Sequence, residues 1–195
     1  MKKRTQAGFS LYELMVTLTI VGIVLMVGIP NMGAFRQNSR MISTANDLHS
    51  SFYLARSEAA RAKTNITICA SADSMDDPPS CSGEFEDGWI IFQDDDGDIV
   101  VDNGEAILRR LPARHESLNI YTTGMGDYFS YAATGLGRGN VTGTPPVTVA
   151  VICDVRGNET GPGGRSTARV LVITPLGRAT VLHDEDQVDF HGGCP

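Results

Sequence analysis

One hydrophobic stretch near the amino terminus, residues 11–29, constrains this chain more than any other feature. As a helix that rises about 1.5 Å per residue, it would be roughly 28 Å long, close to the hydrocarbon thickness of a bilayer. Lys2, Lys3 and Arg4 precede it with no acidic residue among them, so the positive-inside rule places the amino terminus in the cytoplasm. The sequence therefore predicts a membrane-spanning helix and an exported remainder.

Two simpler interpretations of this stretch, a cleavable secretory signal and a plain membrane anchor, each fail to explain one detail. The hydrophobic run is longer than a usual signal core, no Ala-x-Ala site follows it, and the small residue Gly8 lies before it. A plain anchor leaves Glu13 unexplained, because a carboxylate in a membrane helix costs on the order of 2.5–3.5 kcal/mol. Glu13 therefore calls for a partner.

The residues around Glu13 form a recognisable pattern: Gly8 is followed by Phe9, Glu13 is the fifth residue after Gly8, and Pro30 comes later in the run. This pattern resembles the class III signal of type IV pilins and type II secretion pseudopilins. The resemblance implies that a prepilin peptidase cleaves after Gly8 and methylates Phe9, and that Pro30 bends the helix. It also implies that Glu13 pairs with the terminal amine of a neighbouring subunit during assembly, which would remove the cost of leaving either charge alone in lipid.

Composition and motifs favour one acidic exported domain without catalytic activity. The 195 residues leave room for one domain of ordinary size after the hydrophobic segment, and the formal net charge of -7 disfavours non-specific binding of nucleic acid. The sequence has no Gly-x-Ser-x-Gly, His-Glu-x-x-His or P-loop motif, and its four histidines are scattered. We therefore expect a protein that is not an enzyme.

The hydrophobic pattern continues past Pro30 with helical spacing to about Lys63. Apolar or small residues recur three and four positions apart, at Phe35, Ile42, Ala45, Leu48, Phe52, Ala55, Ala59 and Ala62. A coiled coil is less well supported, because the pattern is short and contains polar gaps. We predict a leader over residues 1–8, a transmembrane segment over 9–30, an amphipathic continuation of the helix over 31–63, and a β-rich periplasmic domain over 64–195.

After residue 63 the pattern changes to short apolar runs separated by Gly, Pro, Asp and Asn. Eight runs are typical of strands: 65–70, 89–93, 106–111, 118–122, 128–132, 147–153, 168–174 and 178–182. Turns or loops are predicted at 95–97, 102–104, 135–143 and 158–164. The fold class is therefore α+β, with one long amino-terminal helix packed on antiparallel β-sheets, which resembles the pilin fold.

Four short segments of the exported part are distinctive: residues 54–59, 67–69, 87–92 and 176–178. Together and in this order they resemble one branch of the pilin family, the GspH/FimT minor pilins. The resemblance implies a minor pilin that primes assembly of a type IV pilus or lies at its tip; the alternatives are a type II secretion pseudopilin and a DNA-binding minor pilin. The single tryptophan within these segments, Trp89, is predicted to be a buried core residue rather than a ligand platform.

The same resemblance implies the partners and the location of the protein. Its partners would be other minor and major pilins or pseudopilins, the prepilin peptidase and the inner membrane. The protein would cross the inner membrane once, with a periplasmic carboxy-terminal domain, before it is extracted into a pilus or pseudopilus.

All four cysteines lie in the part of the chain that is predicted to be exported, where oxidation is favoured. No Cys-x-x-Cys pair is present, and four cysteines allow three connectivities. We expect Cys69 to pair with Cys81, and Cys153 with Cys194, as structural bonds.

The acidic run at residues 94–98 raises the question of calcium. Asp94, Asp96 and Asp98 offer oxygen ligands, but the EF-hand pattern fails because counting back from Gly97 places Phe92 at the first ligand position. A solvated turn is the better interpretation, and we expect neither a metal nor any other cofactor.

DNA binding is the less favoured of the functional alternatives. Some family members share a Gly-Arg-x-Arg motif near the carboxyl terminus; here Gly177 and Arg178 supply its first half, and the second arginine is missing. Arg138, Arg165 and Arg169 would supplement Arg178 in contacts with phosphate, and the acidic residues of 184–189 would oppose them.

Overall fold

The computed structural model describes residues 8–123, 126–138, 146–161 and 163–195. It divides into two compact units, residues 1–39 and residues 40–195, which are described separately below. The long helix α1, Leu11–Ala62, contributes to both units, and its end agrees with the predicted end at about Lys63. The predicted leader falls largely on residues 1–7, which lie outside the described residues.

The first unit consists of the early turns of α1, whose large apolar side chains are exposed on every side. More than half of the surface is exposed at Leu11, Leu14, Met15, Leu18, Ile20, Val21, Ile23, Val24, Leu25 and Met26. A helix that is hydrophobic all round requires a non-aqueous environment or a protein partner. The backbone is helical through position 30, but the side chain of Pro30 lies outside the described set, so the predicted bend there stays a prediction.

Among the described residues, no helix is both long and apolar enough to cross a membrane. The membrane span that the sequence predicts over residues 9–30 stays a prediction. Some side chains of that segment lie outside the described set.

The second unit follows the end of α1 with ten strands and a short helix. The strands are β1 Ile66–Ala70, β2 Trp89–Gln93, β3 Ile107–Leu111, β4 Leu118–Thr123, β5 Tyr128–Tyr131, β6 Gly137–Arg138, β7 Val149–Asp154, β8 Thr160–Gly161, β9 Arg165–Ile173 and β10 Ala179–Asp184, and the helix is α2 Glu185–Phe190. All eight predicted strands are confirmed, and none of their ends differs from the prediction by more than three residues. The two-residue strands β6 and β8 and the short helix α2 were not predicted from the sequence.

The strands form two antiparallel sheets. The first has the order β3-β2-β1-β5-β6, and the second has the order β10-β9-β7-β4, with β8 paired to β9. In the first sheet β1 is buried along its whole length, so both of its faces are covered. In the second, β4 begins with alternating buried and exposed residues, as expected for a strand with one solvated face. Together with the helix, these sheets confirm the α+β class.

The second part of α1 packs against the sheets through one stripe of side chains. Met41, Ala45, Leu48, Phe52, Ala55 and Ala59 are all buried, and they recur four and three positions apart. The stripe was predicted correctly from Ala45 to Ala59 but wrongly at Phe35 and Ile42, which are 68% and 47% exposed, and at Ala62, which is also exposed. Met41, one turn before Ala45, occupies the core position that was assigned to Ile42, and Phe35 belongs to the first unit.

Both expected disulfides are present in the second unit. Cys69 is bonded to Cys81, twelve residues later, and Cys153 to Cys194, 41 residues later. The first bond ties buried β1 to the loop before β2, and the second ties β7 to the last residues of the chain. No free cysteine is found among the described residues, and the sequence contains no others.

Candidate functional site

The predicted processing and assembly residues lie at the very start of α1. The backbone N–H of Ser10 lies 3.5 Å from Oε2 of Glu13, and the N–H of Leu14 donates to the carbonyl of Ser10, which begins the helix. Phe9 is exposed, and Gly8 has open space where a Cβ would stand. Within the part of the chain that the structure describes, no cation forms an ion pair with Glu13. The roles of Gly8, Phe9 and Glu13 stay predictions.

A groove of about 650 Å³ lies between α1 and strand β10, and we call it the β10 groove. Its volume falls within the range of about 300–1,000 Å³ that is typical of ligand sites. One wall is a stripe of α1, the other is residues 177–181, and the floor includes Phe52 and Tyr131. The stripe consists of Asn46, His49, Tyr53 and Arg56, which recur three and four positions apart and therefore share one face of the helix.

Gly177 is the residue around which the groove is built. Its φ is +75°, and a Cβ there would lie 2.4 Å from the Tyr131 ring, so only glycine fits. Its carbonyl accepts a hydrogen bond of 2.9 Å from the Tyr131 hydroxyl, and Nη1 of Arg56 lies 3.5 Å away. Burial raises the pKa of the Tyr131 phenol, which therefore stays protonated as the donor. The glycine of the 176–178 segment is thus explained by packing against the aromatic floor.

Among the side chains that the structure describes, the arginines considered for DNA binding do not form one cluster, and the side chain of Arg138 lies outside the described set. Arg178 lies in the β10 groove, whereas Arg165 begins β9 at the far end of the same hairpin. Since a strand rises roughly 3.3 Å per residue, the length of β9 separates the two arginines by about 30 Å. Nη1 of Arg169 donates to the carbonyls of Ser166, Thr167 and Ala168 within its own strand. The Arg169 guanidinium therefore already donates hydrogen bonds within its own strand. Arg178 is distant from Arg165.

Arg56 accompanies Arg178 in the groove instead, and the sequence analysis did not single it out as a binding residue. In the sequence Arg56 is one polar residue among several on α1. Its position beside Arg178 depends on how β10 packs against the helix. The side chain of Arg178 makes no hydrogen bond or ion pair to the described residues. A match in register between the α1 stripe and the predicted strand 178–182 is the signal that could have identified Arg56 as a neighbour of Arg178.

The acidic run at residues 94–98 forms a turn that is held by its own carboxylates. Oxygens of Asp94, Asp96 and Asp98 lie within 4.8 Å of one another. Asp94 is buried and accepts hydrogen bonds from the Thr67 hydroxyl at 2.5 Å and the Gly97 N–H at 2.8 Å. Burial raises the pKa of the Asp94 carboxyl, and those two hydrogen bonds oppose the shift. The arrangement is that of a turn, and the expectation that calcium does not bind there stays a prediction.

Comparison with known proteins gives two matches to family models. Residues 44–177 match the family described as Type II transport protein GspH, and residues 3–29 match the Prokaryotic N-terminal methylation motif. The first match covers more than half of the chain, from Thr44, within the buried part of α1, to Gly177. No curated protein matches the chain.

Two solved structures of the type IV minor pilin FimU from Pseudomonas aeruginosa strain PAO1 are similar to this chain. The crystal form in space group P21 is 23% identical, with a TM-score of 0.49, and the match covers 76% of this chain and 92% of that one. The form in space group P65 is 24% identical, with a TM-score of 0.46, and the coverage is 72% and 90%.

The matched GspH region contains the second part of α1 and most strands of both sheets, and the methylation motif contains Gly8, Phe9 and Glu13. Both matches agree with the segments that suggested the family in the sequence. The chain therefore belongs to the GspH/FimT family of minor type IV pilins and type II secretion pseudopilins.

Proposed function

We propose that the protein is a minor pilin of a type IV pilus, which primes assembly or lies at the filament tip. The observation that carries the proposal is the exposed apolar surface of α1 around Glu13, a single carboxylate in the first turn of a hydrophobic helix. Such a surface cannot stay in water, and a filament core made of neighbouring helices would cover it. The family is one of structural subunits rather than enzymes.

Glu13 would act by meeting a positive charge on the next subunit. A carboxylate that enters an apolar environment without a partner is strongly disfavoured, and a methylated terminal ammonium on an adjacent Phe9 supplies that partner. Prepilin peptidase would create this ammonium by cleaving after Gly8. Before assembly, the same helix would hold the protein in the inner membrane, with residues 64–195 in the periplasm.

A Glu13→Ala variant tests this proposal, with Glu58→Ala as the control on the same helix. Glu58 lies in the second unit and pairs with Arg61 on the surface, so its loss should leave incorporation unchanged. We expect the Glu13 variant to remain in the membrane fraction and to be absent from sheared filaments. Incorporation at the normal level would contradict the proposal, as would a mature amino terminus other than methylated Phe9 in mass spectrometry.

A pseudopilin role in type II secretion is the second candidate, because the matched family is described as Type II transport protein GspH. The two roles share the leader and the fold. Deletion of the gene separates them, since a pilus subunit is required for surface filaments, whereas a pseudopilin is required for release of secreted enzymes.

A further inference from the structure

Strand β10 is the edge of its sheet, and its outer side is available for pairing. The N–H of Thr174 donates to the carbonyl of Arg178, and the N–H of Ile173 donates to Thr148 on the opposite side. In an antiparallel ladder, alternate residues point both backbone groups to the same side. Thr180 and Leu182 therefore point to β9, while Ala179 and Val181 point their N–H and carbonyl groups away from it.

These outward groups belong to the β10 groove and lack partners in the described part of the chain. Among the described strands β10 pairs with β9 alone, and outside that pairing no backbone hydrogen bond joins Ala179 or Val181 to a described residue. Residues 179–182 are only half-buried, so the edge is neither covered by a loop nor fully open. An unpaired edge of this kind is a ready template for another strand.

The charge of the groove is opposite to that of the protein as a whole. Arg56 and Arg178 line it at the Gly177 end, and none of its lining residues is acidic. The chain has a net charge of -7, so this pair of guanidinium groups is a local exception. Tyr53 adds an aromatic ring that is 73% exposed on the helix wall. An occupant with negative charge at this end and an extended, partly apolar body would match the site.

We propose that the β10 groove binds an extended segment of a partner protein, which adds as an antiparallel strand to β10 and places acidic side chains beside Arg56 and Arg178. In that orientation the carboxyl end of the segment lies at the Gly177 end. The inference goes beyond the proposed function and does not depend on it, because it rests only on residues of the second unit.

A polypeptide satisfies this edge better than a nucleic acid does. Ala179 and Val181 present carbonyl acceptors as well as N–H donors, and the N–H groups of a peptide backbone pair with those acceptors. Phosphate oxygens are acceptors only, so the same carbonyls would face anionic oxygens without a donor between them. Among the described side chains, Arg56 and Arg178 are too few cations for a continuous phosphate track, since Arg165 lies at the far end of the hairpin.

Binding of synthetic peptides to the mature full-length protein in detergent tests the proposal. The probe is a fluorescent peptide of alternating Thr and Val that ends in two Glu residues. One control peptide ends in two Lys residues, and another carries N-methyl groups on alternate amides, which removes its strand donors. We expect the Glu peptide to bind at least tenfold more tightly than either control in anisotropy titrations.

Variants of the groove make the test specific. Val181→Pro removes one outward N–H without touching the β9 ladder, and proline is tolerated on edge strands, so we expect at least tenfold weaker binding. Arg178→Gln and Arg56→Gln should each weaken binding roughly threefold to tenfold. Tyr53→Ala should also weaken it, while Arg165→Gln, at the far end of the hairpin, should leave it unchanged. A thermal melt of each variant establishes that it is folded.

Three outcomes would overturn the proposal. One is the absence of binding of the Glu peptide up to millimolar concentration, and another is equal affinity for the Glu and Lys peptides. The third is a single-stranded oligonucleotide that binds more tightly than the Glu peptide and loses affinity in Arg178→Gln but not in Val181→Pro. That third result would assign the groove to DNA.

Discussion

The guanidinium of Arg114 lies 4.4 Å from the centre of the Trp89 ring. Trp89 is fully buried, as the sequence predicted, and Arg114 closes one side of its environment while pairing with Asp47 on α1 at 2.9 Å. The arginine therefore connects β2 and the helix through one stacked cation and one ion pair.

Replacing Arg114 should destabilise the domain because both contacts are lost together. We expect Arg114→Ala to lower the free energy of unfolding by about 1–3 kcal/mol, since the pair is partly buried and the ring loses its cover. Urea unfolding followed by the fluorescence of the single tryptophan measures this. Arg165→Ala is the matched control, and an equal loss of stability in the two variants would contradict the assignment.

The indole N–H of Trp89 depends on one hydroxyl group. Its Nε1 donates to Oγ of Ser51 at 2.9 Å, and Ser51 is fully buried on α1. In Ser51→Ala the indole N–H would be buried without an acceptor, which costs about 1–3 kcal/mol. Ser57→Ala is the control. The Ser57 hydroxyl donates to the carbonyl of Leu54 on its own helix, as the Ser51 hydroxyl donates to that of Asp47, but Ser57 is exposed. A similar change in the unfolding midpoint for both variants would contradict a specific contribution of the Trp89–Ser51 hydrogen bond to stability.

Removal of the disulfides should weaken the fold unequally. The chain-entropy model gives about 3 kcal/mol for the loop of twelve residues and about 4 kcal/mol for the loop of 41 residues. We therefore expect the double variant Cys153→Ser with Cys194→Ser to be less stable than Cys69→Ser with Cys81→Ser, in urea unfolding without reductant. The reverse order would indicate that the packing around buried Cys69 outweighs loop entropy.

The sequence predicted the strands well because their apolar runs are short and are separated by clear turn residues. The strand over residues 89–93 agrees to the residue, and the Asp and Asn turns after it account for its end. The motif before it also has a physical basis, since a Cβ on Gly88 would lie 2.6 Å from the carbonyl of Leu111. Local chemistry was sufficient in these places.

The β10 groove could not be found in the same way. It combines a helix stripe with a strand that lies more than a hundred residues later, and only the packing of the sheet edge against α1 brings Arg56 near Gly177. Similarly, the choice of Met41 over Ile42 for the core depends on the rotation of the helix on the sheets. Pattern fixes which residues alternate, but it does not fix which of two apolar neighbours faces inwards.

Calcium titration should give no binding heat at the acidic turn. Asp96 and Asp98 each already accept a backbone N–H within the turn, and Asp94 accepts two hydrogen bonds. Ligation would have to replace these bonds. Isothermal calorimetry of the protein with calcium chloride, with magnesium chloride as the control, measures the outcome. Saturable heat that is lost in Asp96→Asn would contradict this expectation.

Two aspartates should give the stability of the protein opposite pH dependences. Burial raises the pKa of Asp94, so the fold favours its neutral form, and the stabilisation is lost as the pH rises from its unfolded to its folded pKa. For Asp73 the net shift is the reverse: partial burial acts to raise its pKa, but hydrogen bonds from Ser80 and Ser71 together lower it. Its contribution is therefore present above the unfolded pKa and is lost as the pH falls through the folded pKa.

The two substitutions to asparagine separate these effects. As the pH rises from about 3 to about 6, Asp94→Asn should gain stability relative to the unmodified protein, because the variant no longer carries a buried carboxylate that ionises. Over the same interval Asp73→Asn should lose relative stability, since it cannot become the hydrogen-bonded anion. Urea midpoints measured at several pH values give both slopes. A loss of relative stability in Asp94→Asn would mean that the hydrogen bonds from Thr67 and Gly97 outweigh its burial, and a gain in Asp73→Asn would contradict the lowered pKa of Asp73.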